Sequence, residues 1–351
     1  MRALWSLLLC VGSLLCVQGA SGQTFIRSDV DMDGAFGLTD TVYLTSYLYT
    51  NGPAPHLESG DVNDNGAAEI GDVVYHIEWL FLSGAMPSFP FPIPGVDMTP
   101  AAFAPAVDPG ISITASDLTV TPGESGHPVD IRVDTDKEIE AIEFALTFDP
   151  AATEVDDILI ADSVLSSANV EYVRMDWSNT PGDGFAWLAA IMDFAPPYDG
   201  HAIPVGNNLL IATVMVSVPA TASVPQTQFI EFSDGVSSPP KGTLAVSNGG
   251  DTRRMVEDDA MVLILLPFIR GDANGDTIID ISDTVYMLFY FFNDGPVPPC
   301  QDAADSNNDG TLNIADAIYL LQYLFSDGPS PSEPFPLPGL DPDSDPLGCA
   351  N

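Results

Sequence analysis

"GDANGDTIIDISD", residues 271–283, sets acidic or amide side chains at alternate positions, Asp272, Asn274 and Asp276, and then isolates one more aspartate, Asp283. Two physical readings compete for this spacing: a solubilising turn that ends in a helix N-cap, or a ring of oxygens built around a cation. Repetition weighs between them. Loops of the same form begin at Asp29, Asp61, Asp272 and Asp305, 32 residues apart in the first pair and 33 in the second. "FIRSDVDMDGAFGLTDTVYLTSYLYTNGPAP" from Phe25 matches "FIRGDANGDTIIDISDTVYMLFYFFNDGPVP" from Phe268, and even the exits "PFPIPGVD" (90–97) and "PFPLPGLD" (334–341) agree. A unit of about 75 residues thus occurs twice, each copy itself a tandem pair.

After each loop the apolar period becomes helical. Val285, Leu288, Phe289 and Phe292 fall at i, i+3, i+4 and i+7, and Ile318, Leu321 and Phe325 follow the same rule. The turns "NGPAP", "SGAMP", "NDGPVP" and "SDGPSP" end the helices. One short helix cannot bury its stripe alone, so the spacing predicts two helices packed face to face in each unit.

Numbered from the first aspartate, slots one, three, five and twelve are Asp29, Asp31, Asp33 and Asp40 in the first loop and Asp61, Asn63, Asn65 and Asp72 in the second. The third loop has Asp272, Asn274, Asp276 and Asp283, and the fourth Asp305, Asn307, Asp309 and Asp316. The backbone carbonyl at slot seven, of Ala35, Ala67, Ile278 or Thr311, adds another oxygen. Hard oxygen ligands in a flexible loop suit calcium better than the small, rigid octahedron of magnesium. Up to four calcium ions are expected, the weakest in loop 61–72, where only two of these four side chains are charged. Slot six wants glycine for the sharp turn. Gly34, Gly66 and Gly310 supply it, whereas Thr277 departs from it. Slot eight, which ties paired loops together, is apolar in Phe36, Ile279 and Leu312 and weak in Ala68.

The chain of 351 residues carries a formal charge of −41 with only nine basic residues, which disfavours nucleic acid and anionic lipid as partners. Its 46% hydrophobic content is enough for real cores. "MRALWSLLLCVGSLLCVQGASG" (1–22) reads as a secretory signal peptide cleaved near Ala20 to Gly22, so the mature protein is expected to be secreted, extracellular or at the cell surface. No later stretch approaches the roughly 18 apolar residues of a membrane span. Loss of the leader leaves Cys300 and Cys349, which are expected to form a disulfide. Two free buried thiols are the alternative, and a metal site is a more distant one.

The paired loops, each closed by Asp at slot twelve and each followed by one helix, resemble dockerin modules of secreted proteins from planctomycete-type bacteria, over 23–98 and 266–351. The resemblance implies calcium binding and docking to cohesin domains in extracellular, often polysaccharide-degrading, assemblies. In the family the partner contact centres on slots ten and eleven, often Ser-Thr. This chain has Leu38-Thr39, Ile70-Gly71, Ile281-Ser282 and Ile314-Ala315 there, and the apolar slot ten is equally readable as core.

Residues 99–110 read as an Ala/Pro linker. From 111 to 265 the period changes to two, as in "VDIRVDT", "IEFALTF" and "LLIATVMVSV", with turn signals between, which predicts an all-β sandwich between the two small α-helical modules. The stretch at 120–158, with Phe148-Asp149-Pro150 closing a strand, and "GNNLLIATVMVSVPATA" (206–222) are similar to parts of a cohesin domain. Trp187 is expected in the core. Tyr172 and Trp177 are open between core and a sugar-stacking platform.

No nucleophile elbow, zinc-protease motif or phosphate loop is present, and no segment remains to house a catalytic cleft. The expectation is a non-catalytic calcium-dependent adaptor whose partners are cohesin-like or dockerin-like proteins, another copy of itself included. The alternative is a carbohydrate-binding protein whose sandwich holds polysaccharide and whose modules anchor it.

Overall fold

The computed structural model describes residues 24–97, 105–223, 226–343 and 346–349. The signal-peptide reading of 1–22 lies outside them. The chain divides into two units, the first ending at Ala104 and the second beginning at Pro105.

In the first unit, helices α1 (Leu38–Tyr49), α2 (Leu57–Gly60) and α3 (Ile70–Phe81) form module one. Leu44, Leu48, Val73 and Ile77 are buried at its centre. Residues Phe25 and Gly95 pair as an antiparallel bridge, so the start of the module and its Pro-rich exit lie side by side.

The second unit opens with a β-sandwich. Its strands are β1 (Val107–Ala115), β2 (Leu118–Val120), β3 (His127–Thr135), β4 (Ala141–Phe148), β5 (Glu154–Leu159), β6 (Tyr172–Thr180), β7 (Asp183–Ile191), β8 (Gly206–Ser217), β9 (Gln226–Phe232), β10 (Leu244–Ser247), β11 (Asp251–Asp258) and β12 (Ala260–Ile264), with a short helix α4 (Val164–Ser167) after β5. The pairing order is β2-β12-β9-β4-β10-β11-β1-β3-β8-β5, with β7 also on β4 and β6 on β7. The period-two pattern is what makes this possible. Ile142, Phe144 and Leu146 of β4 point inward, as do Ile111 and Ile113 of β1, Ile131 and Val133 of β3, and Val214 and Val216 of β8, into one shared core. The predicted linker is shorter than expected. Val107–Gly110 already belong to β1, where Val107 pairs with Arg254 of β11.

Module two follows, with α5 (Ile281–Phe292), α6 (Gln301–Ala304) and α7 (Ile314–Phe325). Ala273, Met287, Ala304, Ala317 and Leu320 are its buried centre, with Ile279, Leu288, Leu312 and Tyr323 packed around them. The bridge Phe268–Gly339 repeats that of Phe25–Gly95. Cys300 and Cys349 are joined as a disulfide that closes 49 residues of chain.

The helical faces differ from expectation. Val285, Phe289 and Phe292 on α5, and Ile318 and Phe325 on α7, are exposed, while Thr284, Met287, Ala317 and Leu320 face inward. The apolar stripe is wider than one interface can cover, so part of it stays outside. Trp187 is buried, but on the outer face of the sheet: Lys241 from the 233–243 loop lies over its ring at 5.3 Å. Trp177 packs partly against the sandwich core. These tryptophans therefore form no exposed coplanar platform.

Candidate metal centres

Each of the four loops is wrapped by the same set of backbone N–H donors. The slot-one carboxylate accepts from the slot-six amide: Gly34 to Asp29 at 3.1 Å, Gly66 to Asp61 at 2.9 Å, Thr277 to Asp272 at 2.9 Å and Gly310 to Asp305 at 2.8 Å. The slot-three oxygen accepts from slot five, in Asp31, Asn63, Asn274 and Asn307, and the slot-five oxygen from slot seven, in Asp33, Asn65, Asp276 and Asp309. Each is an Asx turn, and successive turns bend the chain around one point. In the first loop the oxygens of Asp29, Asp31 and Asp40 lie within 4.8 Å of one another.

The slot-twelve aspartate serves two ends. Asp40, Asp72, Asp283 and Asp316 each accept from the slot-nine amide, closing the first turn of the helix as an N-terminal cap, through Gly37, Glu69, Asp280 and Asn313 at 2.9, 2.8, 2.9 and 2.8 Å. Their second oxygen turns back into the loop, to Val30 N at 2.7 Å or Asn63 N at 3.0 Å, for example. The same side chain therefore closes the capping box from position N3, three residues past the N-cap rather than at it, and keeps a second oxygen on the loop. Ala35, Ala67, Ile278 and Thr311 occupy slot seven in all four loops.

Electrostatics mark the same residues. Burial, reinforced by neighbouring carboxylates, pushes Asp283 up to about 6 and Asp316 up to about 7. Burial does the same to Asp61, to about 6, and raises Asp72 well above the ordinary range. Carboxylates crowded together out of water hold protons more tightly, and a divalent cation among them relieves that repulsion. The donor set of hard carboxylate, amide and carbonyl oxygens fits calcium.

Three features escaped the sequence reading. Glu69 stands at slot nine of the second loop, its Oε1 receiving Asn65 Nδ2 at 2.7 Å, so this loop holds a third carboxylate. Against that, Arg27 stands 3.7 Å from Asp61 Oδ2 as a competing cation. Arg27 and Arg270 are fully buried. Arg27 donates to the Asp61 carbonyl, to Asp64 at 2.8 Å and to Asp97 at 3.1 Å. Arg270 donates to the Asp305 carbonyl at 3.1 Å and to Asp341 at 2.9 Å. Each arginine pins the start of its module's second loop to the exit segment. The repeated "FIR" and "PG-x-D" were the visible signal. Finally, slot ten is exposed at Leu38, Ile281 and Ile314 and buried only at Ile70.

No protein-family model matches the chain, and no curated protein matches it. Solved structures do resemble it. The third cohesin ScaC of Acetivibrio cellulolyticus, solved with the ScaB dockerin, is 20% identical, covering 44% of this chain and 98% of that one at a TM-score of 0.34. A cohesin of OlpA from Clostridium thermocellum, also in a cohesin–dockerin complex, is 16% identical over 44% of this chain and 99% of that one, at 0.34. A non-cellulosomal cohesin from Archaeoglobus fulgidus is 13% identical over 44% and 91%, at 0.31. Among the described residues no helix is long and apolar enough to cross a membrane.

Proposed function

We propose that this chain is a secreted, non-catalytic, calcium-binding adaptor that docks through its helical modules to cohesin-like or dockerin-like proteins. The observation that carries the reading is the fourfold repetition of one cage. Four loops direct the same slots inward through the same backbone bonds, and a lone Asx turn with a cap does not demand that. The dockerin-like sequence of both modules supports docking as the use of the cages. So does the exposure of Ile281, Val285, Phe289, Ile314 and Ile318 on two adjacent helices, where an isolated module would bury them. Calcium orders the loops, and the loops orient the helices that carry this surface.

The test is calorimetric titration of the mature chain with calcium. Uptake of up to four ions is expected, lowered stepwise by Asp29→Asn and by Asp283→Asn. A chain that takes up no calcium at all overturns the reading.

A further inference from the structure

Cys300 and Cys349 face each other across an antiparallel bridge, and a carboxylate oxygen of Asp302 lies within 4.8 Å of both sulfurs. The carboxylate is buried, whereas both cysteines are half-buried. The frame that holds these three groups does not depend on the bond between the sulfurs. Gln301 N donates to the Gly348 carbonyl at 2.9 Å, which ties the two cysteine-bearing segments together through backbone alone. Asp302 lies in the single turn of α6. The buried Arg270 fixes that turn, donating to the Asp302 carbonyl at 3.0 Å and to the Asp305 carbonyl at 3.1 Å, and Gly271 N donates to the Ala303 carbonyl at 2.7 Å. Opening the disulfide therefore leaves two thiols and a carboxylate converging on one point.

Two cavities flank the pair. One of about 420 Å³ is lined by Asp302 and Cys349 together with Asp341 and Asp343, an acidic way in for a cation. The other, of about 380 Å³, is lined by Cys300 and Cys349 with Leu266, Phe268 and Pro299, and gives a small dithiol room beside the sulfurs. The donor set selects the metal. Thiolates are soft ligands that suit zinc rather than calcium or magnesium, and two sulfurs with one carboxylate oxygen leave the fourth corner of a tetrahedron to water. Module one is not built this way. Its counterparts of Cys300 and Asp302 are His56 and Glu58, but that of Cys349 is Pro105, whose side chain has no donor atom for a metal.

We propose that the reduced form of module two binds one soft divalent cation of the zinc class through Cys300, Cys349 and Asp302. The change of state is a thiol–disulfide exchange. The thiolate of a small dithiol attacks one sulfur of the bridge and its second thiol resolves the mixed disulfide. Two electrons pass from the dithiol to the bridge, and two cysteine thiols form. Metal binding then releases both thiol protons to solvent. The bridge and the metal exclude each other, so this pair of cysteines makes metal uptake conditional on reducing surroundings. The site is separate from the four loops and does not depend on their holding calcium.

The test uses the mature chain, reduced with a phosphine, freed of reductant without oxygen and kept in excess calcium so that carboxylates compete less for the probe. The probe is cadmium, because cadmium–thiolate absorption in the ultraviolet cannot arise from carboxylates. One cadmium per chain is expected to bring up this absorption and zinc to remove it by displacement, while the oxidised chain shows none. Circular dichroism should find the helices of the oxidised chain retained after reduction. Asp302→Asn should keep the absorption and weaken cadmium binding about ten-fold or more, with Asp302→Ala in its place should Asp302→Asn lose its helices. The double change Cys300→Ser with Cys349→Ser should abolish the absorption. A reduced chain that shows no such absorption, that loses its helices, or that shares each cadmium between two copies overturns the proposal. So does an affinity that the Asp302 variants leave unchanged.

Discussion

Thr277 is the residue at which the sequence pattern and the backbone disagree most. The loop needs a left-handed residue at slot six, and Gly34, Gly66 and Gly310 provide it, with φ of 87°, 94° and 73°. Thr277 takes the same conformation at φ 70°, which a β-branched residue adopts only under strain. Replacing Thr277 with Gly should raise the stability of module two by about 1 kcal/mol and tighten calcium in that loop, as read by thermal melting with and without the ion. The other informative residue is His76. It occupies the place of Leu320 in the second copy, as Ser28 does of Gly271. Its ring lies between Ser28 Oγ at 2.6 Å and Thr41 Oγ1 at 3.0 Å, stacked on Trp79 at 5.7 Å. Burial pushes its pKa down to about 4 from an ordinary 6.5, so the unfolded chain binds the proton more readily. Stability is full above pH 6.5, is lost as pH falls towards 4 and levels off below, a change on the order of 3 kcal/mol at most. Acid titration followed at Trp79 should show this window in module one, and the double change His76→Leu with Ser28→Gly should abolish it.

At the scale of elements, the period of 3.6 established the helices but not which side of them faces in. Val285, Leu288, Phe289 and Phe292 satisfy the rule for a buried stripe, yet Met287 and Thr284 are the residues inside. An amphipathic pattern identifies an apolar arc, and when that arc exceeds one interface only packing chooses the inner part of it. The corrected face can be checked by mutation. Leu320→Ala should cost about 2–5 kcal/mol by opening a cavity, while Val285→Ser, at an exposed site, should cost less than about 0.5 kcal/mol. Comparable losses at both sites, measured by denaturant unfolding, would contradict the packing described. The loops were far more legible, because a ligand set is local. Every slot residue lies within twelve positions of the first aspartate, so chain geometry alone brings them together. Glu69, at slot nine, shows its part only in the fold, where it accepts from Asn65 Nδ2. Arg27 and Arg270 were passed over because their partners, Asp97 and Asp341, lie 70 and 71 residues away.

For the whole molecule, the proposed calcium reading places all four loops in the two modules and none in the sandwich. A chelator should therefore lower the melting of the modules and leave the sandwich transition in place, giving separated transitions by calorimetry. Module one should melt first. Module two is clamped by Cys300–Cys349, which under the chain-entropy model restricts its unfolded state by roughly 4 kcal/mol. Module one has no such bridge, and reducing the disulfide should bring the two closer together.

The sequence alone determined the four Asp- and Asn-rich loops, the helices that follow them and the alternating strands between them, because each depends on spacings within a few turns of chain. Only the tertiary structure decided the rest. It put Trp187 under Lys241 on the outside of the sheet and made Val285 and Phe289 surface. Those outcomes depend on which distant segments compete for the same space and charge, and no local period carries that information.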